Sequence, residues 1–141
     1  MAFIRSRRVY LRHTDAAGIL YFAEQLTLVH EVYEELLSEA GLGIGRLLVD
    51  GAFALPIVRA ETELLAPLFV DDELHIELFL EQSGSTSFTL EHRIYKAGDL
   101  VGKGRTVHVC VDAPTKRPRE LPPELARAFA RLATAQDSAS S

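Results

Sequence analysis

The chain has 141 residues, 48% of them hydrophobic and 25% charged, with nine glycines, six prolines and no tryptophan, which fits one folded domain around a single core and excludes wholesale disorder. A net charge of -5 and a pI near 5.5 remove any general electrostatic reason to bind nucleic acid or an anionic membrane surface. The only cysteine, Cys110, cannot form an intrachain disulfide and lies in the apolar run TVHVCV, so a buried core thiol in a reducing compartment is expected.

The first segment, FIRSRRVYLR from Phe3 to Arg12, reads as a strand: Phe3, Val9 and Leu11 are apolar and the arginines are interleaved, as on a sheet with one wet face. Those arginines, at 5, 7, 8 and 12, break up any apolar stretch of signal-peptide length. No run elsewhere approaches the roughly twenty apolar residues of a membrane span, and the expected location is the cytoplasm, with no membrane partner. A turn follows at HTDAAG. From Leu20 to Ala40 the residues Phe22, Leu26, Val29, Tyr33, Leu36, Leu37 and Ala40 recur at helical spacing, Leu28 and Val32 widen the apolar sector, and Glu24, Thr27, Glu31, Glu34 and Glu35 form the polar edge. This helix is expected to be buried on most of its circumference and to stop at the glycines of AGLG, Ala40 to Gly43.

Four strand-like runs come next, Leu55–Pro67, Asp72–Gln82, Thr86–Lys96 and Leu100–Asp112. In the second, Leu74, Ile76, Leu78 and Leu80 alternate with His75, Glu77 and Phe79, the period of a strand with one buried face. QSGST and KAGDL are short glycine-containing links, so the last three strands read as an antiparallel meander. PPELARAFARLA begins with prolines and continues as a short helix. The expectation is one α+β domain over residues 1–134, a curved antiparallel sheet wrapped around a long helix, with a disordered tail at 135–141.

Carried by TDAAGILYF (Thr14–Phe22) directly before the long helix, and supported in order by LAPLFVDDELHIEL, GSTSFTLEHRIYK and VHVCVDAPTKRPRELP, the sequence resembles the hotdog-fold acyl-CoA thioesterases of the 4-hydroxybenzoyl-CoA thioesterase family. GILYFAEQL with HEVYEELL is similar to the family's 1,4-dihydroxy-2-naphthoyl-CoA hydrolase branch of quinone biosynthesis. The resemblance implies a five-stranded sheet around the helix, an acyl-CoA substrate, preferably aromatic, no separate cofactor, and a homodimer or homotetramer with active sites between subunits. It marks Asp15 as catalytic and the backbone amide of Phe22 as the donor to the thioester oxygen, with Tyr21 as a neighbouring donor.

The residues themselves are consistent with that chemistry. Hydrolysis puts negative charge on the thioester oxygen, and the first turn of a helix offers unpaired N–H groups and the positive end of the macrodipole. Gly18 permits a tight turn into the helix and close approach of substrate to backbone. The Asp15 carboxylate has two roles open, attack on the carbonyl or deprotonation of a water molecule. On local sequence alone the same residue suits a turn, held by hydrogen bonds to its own backbone. His13 and His30 are rivals for catalysis; His30 sits at the border of an apolar helix face, where packing is the commoner role and contact with substrate the other. Many short-chain relatives carry a histidine where Phe22 stands, and its absence turns the expectation toward aromatic acyl groups.

Coenzyme A phosphates need local cations, for which Lys116, Arg117 and Arg119 are the candidates, with Lys103 and Arg105 nearby in sequence. The histidines are too scattered for a metal site, and no P-loop or dinucleotide glycine pattern occurs. The other readings left open are an acyl-CoA-binding or sensor module without turnover, a short-chain aliphatic thioesterase, and a dehydratase that would use His13.

Overall fold

The computed structural model describes residues 2–140, with side chains described to residue 131; the tail expected at 135–141 lies outside the residues described in that detail. Strand β1 (Phe3–Arg8) leads through one 3-10 turn (Leu11–His13) and a tight loop to the long helix α1 (Phe22–Glu39) and a short helix α2 (Ile44–Asp50). The strands β2 (Phe53–Ala54) and β3 (Ile57–Leu64), the long strands β4 (Glu73–Ser83), β5 (Ser87–Lys96) and β6 (Asp99–Val109), the short β7 (Val111–Asp112) and helix α3 (Pro123–Ser140) follow. The main sheet has the order β1-β4-β5-β6-β3, antiparallel throughout, and β2 pairs separately with β7.

The alternation read in the sequence sets the layers. Leu74, Ile76 and Leu78 of β4 and Phe88, Leu90, His92 and Ile94 of β5 are buried on the face that carries α1, while His75, Glu91 and Arg93 lie on the wet side. Leu28, Val29, Val32, Tyr33, Leu36 and Leu37 of α1 pack onto that face. Leu125 and Phe129 of α3 cover its other part, with Phe129 against Phe88 at 4.7 Å between ring centroids. This is the expected hotdog arrangement. The turn between β5 and β6 places Ala97 and Gly98 at φ 51° and 86°, the two-residue hairpin geometry whose twist matches the strands.

The end of α1 follows from Gly41, at φ 80°. There the Leu42 N–H donates to the Leu37 carbonyl and the Gly41 N–H to that of Ser38, which satisfies two terminal carbonyls, and Leu42 and Leu37 are both buried. On the opposite flank Arg5 and Arg7 of β1 reach Glu31, Glu35 and Glu39 of α1, so the interleaved arginines are the rim that ties strand to helix.

Several expectations change. The first strand stops at Arg8, because the chain turns into the 3-10 helix, and Leu11 is exposed there rather than in the sheet. Helix α1 begins at Phe22; Leu20 is buried in the loop before it. Its enclosure is one-sided: Phe22, Thr27 and His30 face solvent in the single chain, whereas Gln25, read as neither core nor edge, is buried. Helix α2 was not anticipated, since seven residues hold too few turns to show a period.

Candidate active site

Residues 13–21 fold into a miniature hairpin. The Tyr21 N–H donates to the His13 carbonyl, Thr14 bridges Leu20, and the Asp15 N–H donates to the Ile19 carbonyl. Gly18, at φ 77°, closes the turn with its N–H on the Asp15 carbonyl, a conformation that penalises any residue with a Cβ. Asp15 thus stands two rungs from the helix start, about 7 Å along the strand direction. The hairpin is anchored to the next layer by the Leu20 N–H on the Leu68 carbonyl and by the Ile19–Phe69 bridge.

The Asp15 carboxylate does shape the turn. Its Oδ1 accepts from the Ala17 N–H at 2.9 Å and the Ile19 N–H at 3.3 Å. Oδ2 has no hydrogen-bond partner among the described residues, and the residue is exposed. One carboxylate therefore carries both readings, one oxygen holding the loop and the other open to solvent.

At the helix start, Tyr21 is the N-cap residue with no side-chain cap. The N–H groups of Phe22 and Ala23 find no acceptor among the described residues, since the first bond of the turn runs from the Glu24 N–H to the Tyr21 carbonyl. The Tyr21 N–H, expected as a second donor, is spent on His13. The rings of Tyr21 and Phe22 lie 4.7 Å apart and are 46% and 61% exposed, so these aromatics are not core.

His13 is buried and built into this frame. Its Nδ1 accepts the Tyr10 N–H at 2.9 Å, which requires the proton of the neutral ring to sit on Nε2. This structural duty accounts for the residue without a proton-transfer role.

The remaining predicted residues are not at the helix start. His30, half-exposed, contacts Glu34 through Nδ1 at 3.4 Å and meets the Tyr33 ring edge-on at 5.5 Å. It borders an apolar cavity of about 270 Å³ between α1 and the β3–β6 strands, lined with Leu26, Val29, Tyr33, Ala60 and His108. Lys116, Arg117 and Arg119 stand on the turn after β7. Arg119 is engaged there by the Ala52 carbonyl at 2.8 Å and Asp112 at 3.5 Å. Gln25, near the start of α1, packs against Gly102, and Gly102 lies opposite Leu64, while His108 lies opposite Ile57. The six-residue step from Gly102 to His108 separates the helix start from the end of the sheet carrying those cations by about 20 Å within one chain. Arg105 is held by Glu61 and Glu81 on the outer face.

Sequence reasoning missed Gln25 and His92. Gln25 Nε2 donates to Thr62 Oγ1 at 2.7 Å and the Glu63 carbonyl at 2.9 Å, and Thr62 Oγ1 lies 2.8 Å from His92 Nε2. This chain fastens the first turns of α1 to the sheet. The glutamine could have been suspected from its place four residues before Val29 on the buried side. Burial pushes His92 down to about 4, and burial with the neighbouring His30 does the same to His108. Cys110 is fully buried, its thiol raised by burial, with Sγ 3.6 Å from the Glu120 carbonyl.

Among the described residues no group of His, Cys, Asp and Glu is placed to hold a metal ion, and no helix is long and apolar enough to cross a membrane. Asp15 borders none of the described cavities of the single chain; it and the free amides form an open surface that lacks a cover.

The thioesterase-like superfamily profile matches residues 9–129, from the end of β1 through most of the described part of α3. The chain belongs to the thioesterase-like superfamily. Among its thioesterase-like relatives, the 1,4-dihydroxy-2-naphthoyl-CoA hydrolase of Microcystis aeruginosa is 39% identical over 94% of this chain and 96% of its own length. That of Nostoc punctiforme is 38% identical over 89% and 84%. The crystal structure of a 1,4-dihydroxy-2-naphthoyl-CoA thioesterase from Synechocystis superposes with a TM-score of 0.88 at 33% identity, covering 94% of this chain and 98% of that one.

Proposed function

We propose that this chain is an acyl-CoA thioesterase that hydrolyses the thioester of a hydroxylated aromatic acyl-CoA, with 1,4-dihydroxy-2-naphthoyl-CoA as the foremost substrate. The observation that carries the reading is the junction of hairpin and helix, an exposed carboxylate and two amides unpartnered among the described residues, in a chain that matches 1,4-dihydroxy-2-naphthoyl-CoA hydrolases along nearly its whole length. The Phe22 amide, with Ala23 beside it, receives the thioester oxygen as charge develops, and the macrodipole of an 18-residue helix adds to the pull. Asp15 Oδ2 supplies the oxygen chemistry. It either attacks the carbonyl carbon, giving a mixed anhydride and expelling the CoA thiolate, with water then splitting the anhydride, or takes the proton of a water that attacks directly. Both routes consume one water and release the acid and the thiol.

The active unit is at least a homodimer. Strand β3 is an edge whose residues are almost all exposed, with apolar Ile57, Val58 and Leu64 among them, and an edge of this kind is a template for pairing. Antiparallel pairing of two β3 edges sets the Ile57 end of one against the Leu64 end of the other. That move carries the partner subunit's cationic turn toward the uncovered helix start, which supports Lys116 and Arg117 as phosphate contacts delivered across the interface. Arg119, already engaged by Asp112 and Ala52, is the least available of the three.

The test is a thiol-release assay of the pure protein on 1,4-dihydroxy-2-naphthoyl-CoA, 4-hydroxybenzoyl-CoA and short and long aliphatic acyl-CoAs. The proposal requires the aromatic thioesters to be turned over with the highest kcat/KM. Binding without thiol release across the panel would make the chain a sensor, and a preference for aliphatic chains would remove the aromatic assignment.

A further inference from the structure

The first turns of α1 are held down by one buried side chain, and that side chain is polar. Of residues 22–26 only Gln25 is buried, at 1% exposure; Phe22 and Ala23 are exposed, and the first buried apolar residue of the helix is Leu28. Tyr21 supplies no side-chain cap, so nothing within the helix sequence stops this end from fraying. A leucine at position 25 would add apolar burial with no polar group to satisfy. The glutamine adds direction instead.

Gln25 Nε2 uses both of its hydrogens, on Thr62 Oγ1 at 2.7 Å and on the Glu63 carbonyl at 2.9 Å. A carbonyl only accepts, so it is the amide nitrogen and not the oxygen that faces β3. Thr62 Oγ1 also lies 2.8 Å from His92 Nε2 and 3.4 Å from the Lys103 carbonyl. One proton assignment pairs every donor: the hydroxyl donates to Lys103 and accepts from Gln25 and from the Nε2–H of His92. It leaves only acceptors unpaired, Gln25 Oε1 and His92 Nδ1, and a bare buried acceptor is better tolerated than a bare donor. The chain of bonds ties the helix to β3, β5 and β6 at once. Strand β6 makes room for it, since a Cβ at Gly102 would stand 2.9 Å from Gln25 Nε2 and one at Gly104 would stand 2.7 Å from the His92 ring. Glycine weakens a strand interior, and two of them lie where the polar chain passes.

We propose that Gln25, backed by Thr62 and His92, is a positioning residue for the reaction: it sets the height of the helix start over the sheet and so aims the Phe22 and Ala23 amides at the thioester oxygen. The proposal rests on the thioesterase reading. Gln25 is too deeply buried to meet substrate and acts through those amides, two and three residues before it, about 3–4.5 Å along the helix axis. An oxyanion donor is effective because it is already in place when charge develops, and a misplacement of about 1 Å costs about 10²-fold in rate. Hydrogen bonds weaken steeply away from their preferred length and angle, so they resist a slide that apolar packing, having no direction, tolerates.

Gln25→Met keeps the length of the side chain and removes its donors. On 1,4-dihydroxy-2-naphthoyl-CoA it is expected to lower kcat at least about tenfold with KM within about threefold, the pattern of a loss felt only in the transition state, in protein that its melt shows to be folded at the assay temperature. Thr62→Val removes the hydroxyl and keeps the shape, and is expected to do the same; Thr62→Ser keeps the hydroxyl, and is expected to hold kcat within about threefold of the intact protein. If Gln25→Met fails to fold, the Thr62 pair decides. An unchanged kcat in Gln25→Met, a rise in KM alone, or equal losses in Thr62→Val and Thr62→Ser would overturn the proposal and leave the thioesterase reading standing. A readout without turnover separates the two. In the amide proton–nitrogen NMR spectrum the Phe22 and Ala23 signals are expected to shift or lose order in Gln25→Met while those of β4 stay. Unmoved signals would sink the positioning role whatever the turnover, and moved signals in a protein that cleaves no thioester would keep Gln25 as the anchor of the helix start and sink its catalytic purpose.

Discussion

Replacing Asp15 by Asn tests the division of labour between its two oxygens. Oδ1 holds the loop through the Ala17 and Ile19 amides, and an asparagine carbonyl oxygen accepts from the same two donors, so the turn survives. The free oxygen becomes an amide nitrogen, which neither attacks a carbonyl nor takes a proton from water. Loss of a positioned general base costs about 10²–10⁴-fold in rate, which at about 1.4 kcal/mol per tenfold is about 3–5.5 kcal/mol of barrier. Asp15→Ala, by contrast, also removes two exposed backbone hydrogen bonds worth together about 1 kcal/mol at the low end of the usual range, a fall in Tm of about 3–4 °C for a chain of this length. Thiol release on the aromatic thioester and a thermal melt, run on both variants, give the two readouts. The expected pattern is loss of turnover in both and loss of Tm in Ala alone. Wild-type turnover in Asn would refute the catalytic role, and an unshifted Tm in Ala would refute the structural one.

Three further outcomes follow from geometry already described. A Cβ on Gly104 would meet the His92 ring at 2.7 Å and collide with the Glu61 carbonyl across the β3–β6 pair, so Gly104→Ala should cost about 1–3 kcal/mol, read as a lower Tm; an unchanged melt would contradict the close approach. His92 and His108 have folded values lowered to about 4 from 6.5; the unfolded chain therefore binds protons first, and the stability present above pH 6.5 is lost as pH falls toward 4. At pH 5 the loss is about 2 kcal/mol for each residue, and melts at pH 7.5 and 5 that coincide would speak against neutral burial. Val58→Asp puts a charge on the exposed β3 edge, and is expected to shift the protein to monomer by light scattering and to lower kcat/KM at least about tenfold; a fully active monomer would show that the site is complete in one chain.

The layered fold was legible because its cause is periodic. The alternation in Glu73–Ser83 and the helical spacing through Val29, Val32, Tyr33 and Leu36 decide which side faces the core, and both can be read without coordinates. The glycine stop of α1 was legible for a similar reason, a local conformation that one residue type tolerates. What escaped was whatever depends on distant segments meeting. The burial of Gln25 is decided by Thr62, Glu63 and Gly102, and the exposure of Phe22 by the lack of a facing segment among the described residues. The pairing of Asp15 with Ala17 and Ile19 was foreseeable from turn chemistry, whereas the separation of the helix start from Lys116 and Arg117 required the register of β3 on β6.

The two glycines of β6 have a consequence for how such a chain diversifies. At Gly102 and Gly104 the helix and the neighbouring strand lie almost on the backbone of β6, whereas four residues on, at Thr106 and His108, the same strand stands back and leaves a hollow. The gap tapers, tight beside the first turns of α1 and wide beyond them. Side chains at the wide end can therefore change size at little cost in packing, while one added methyl at the narrow end collides with its neighbours.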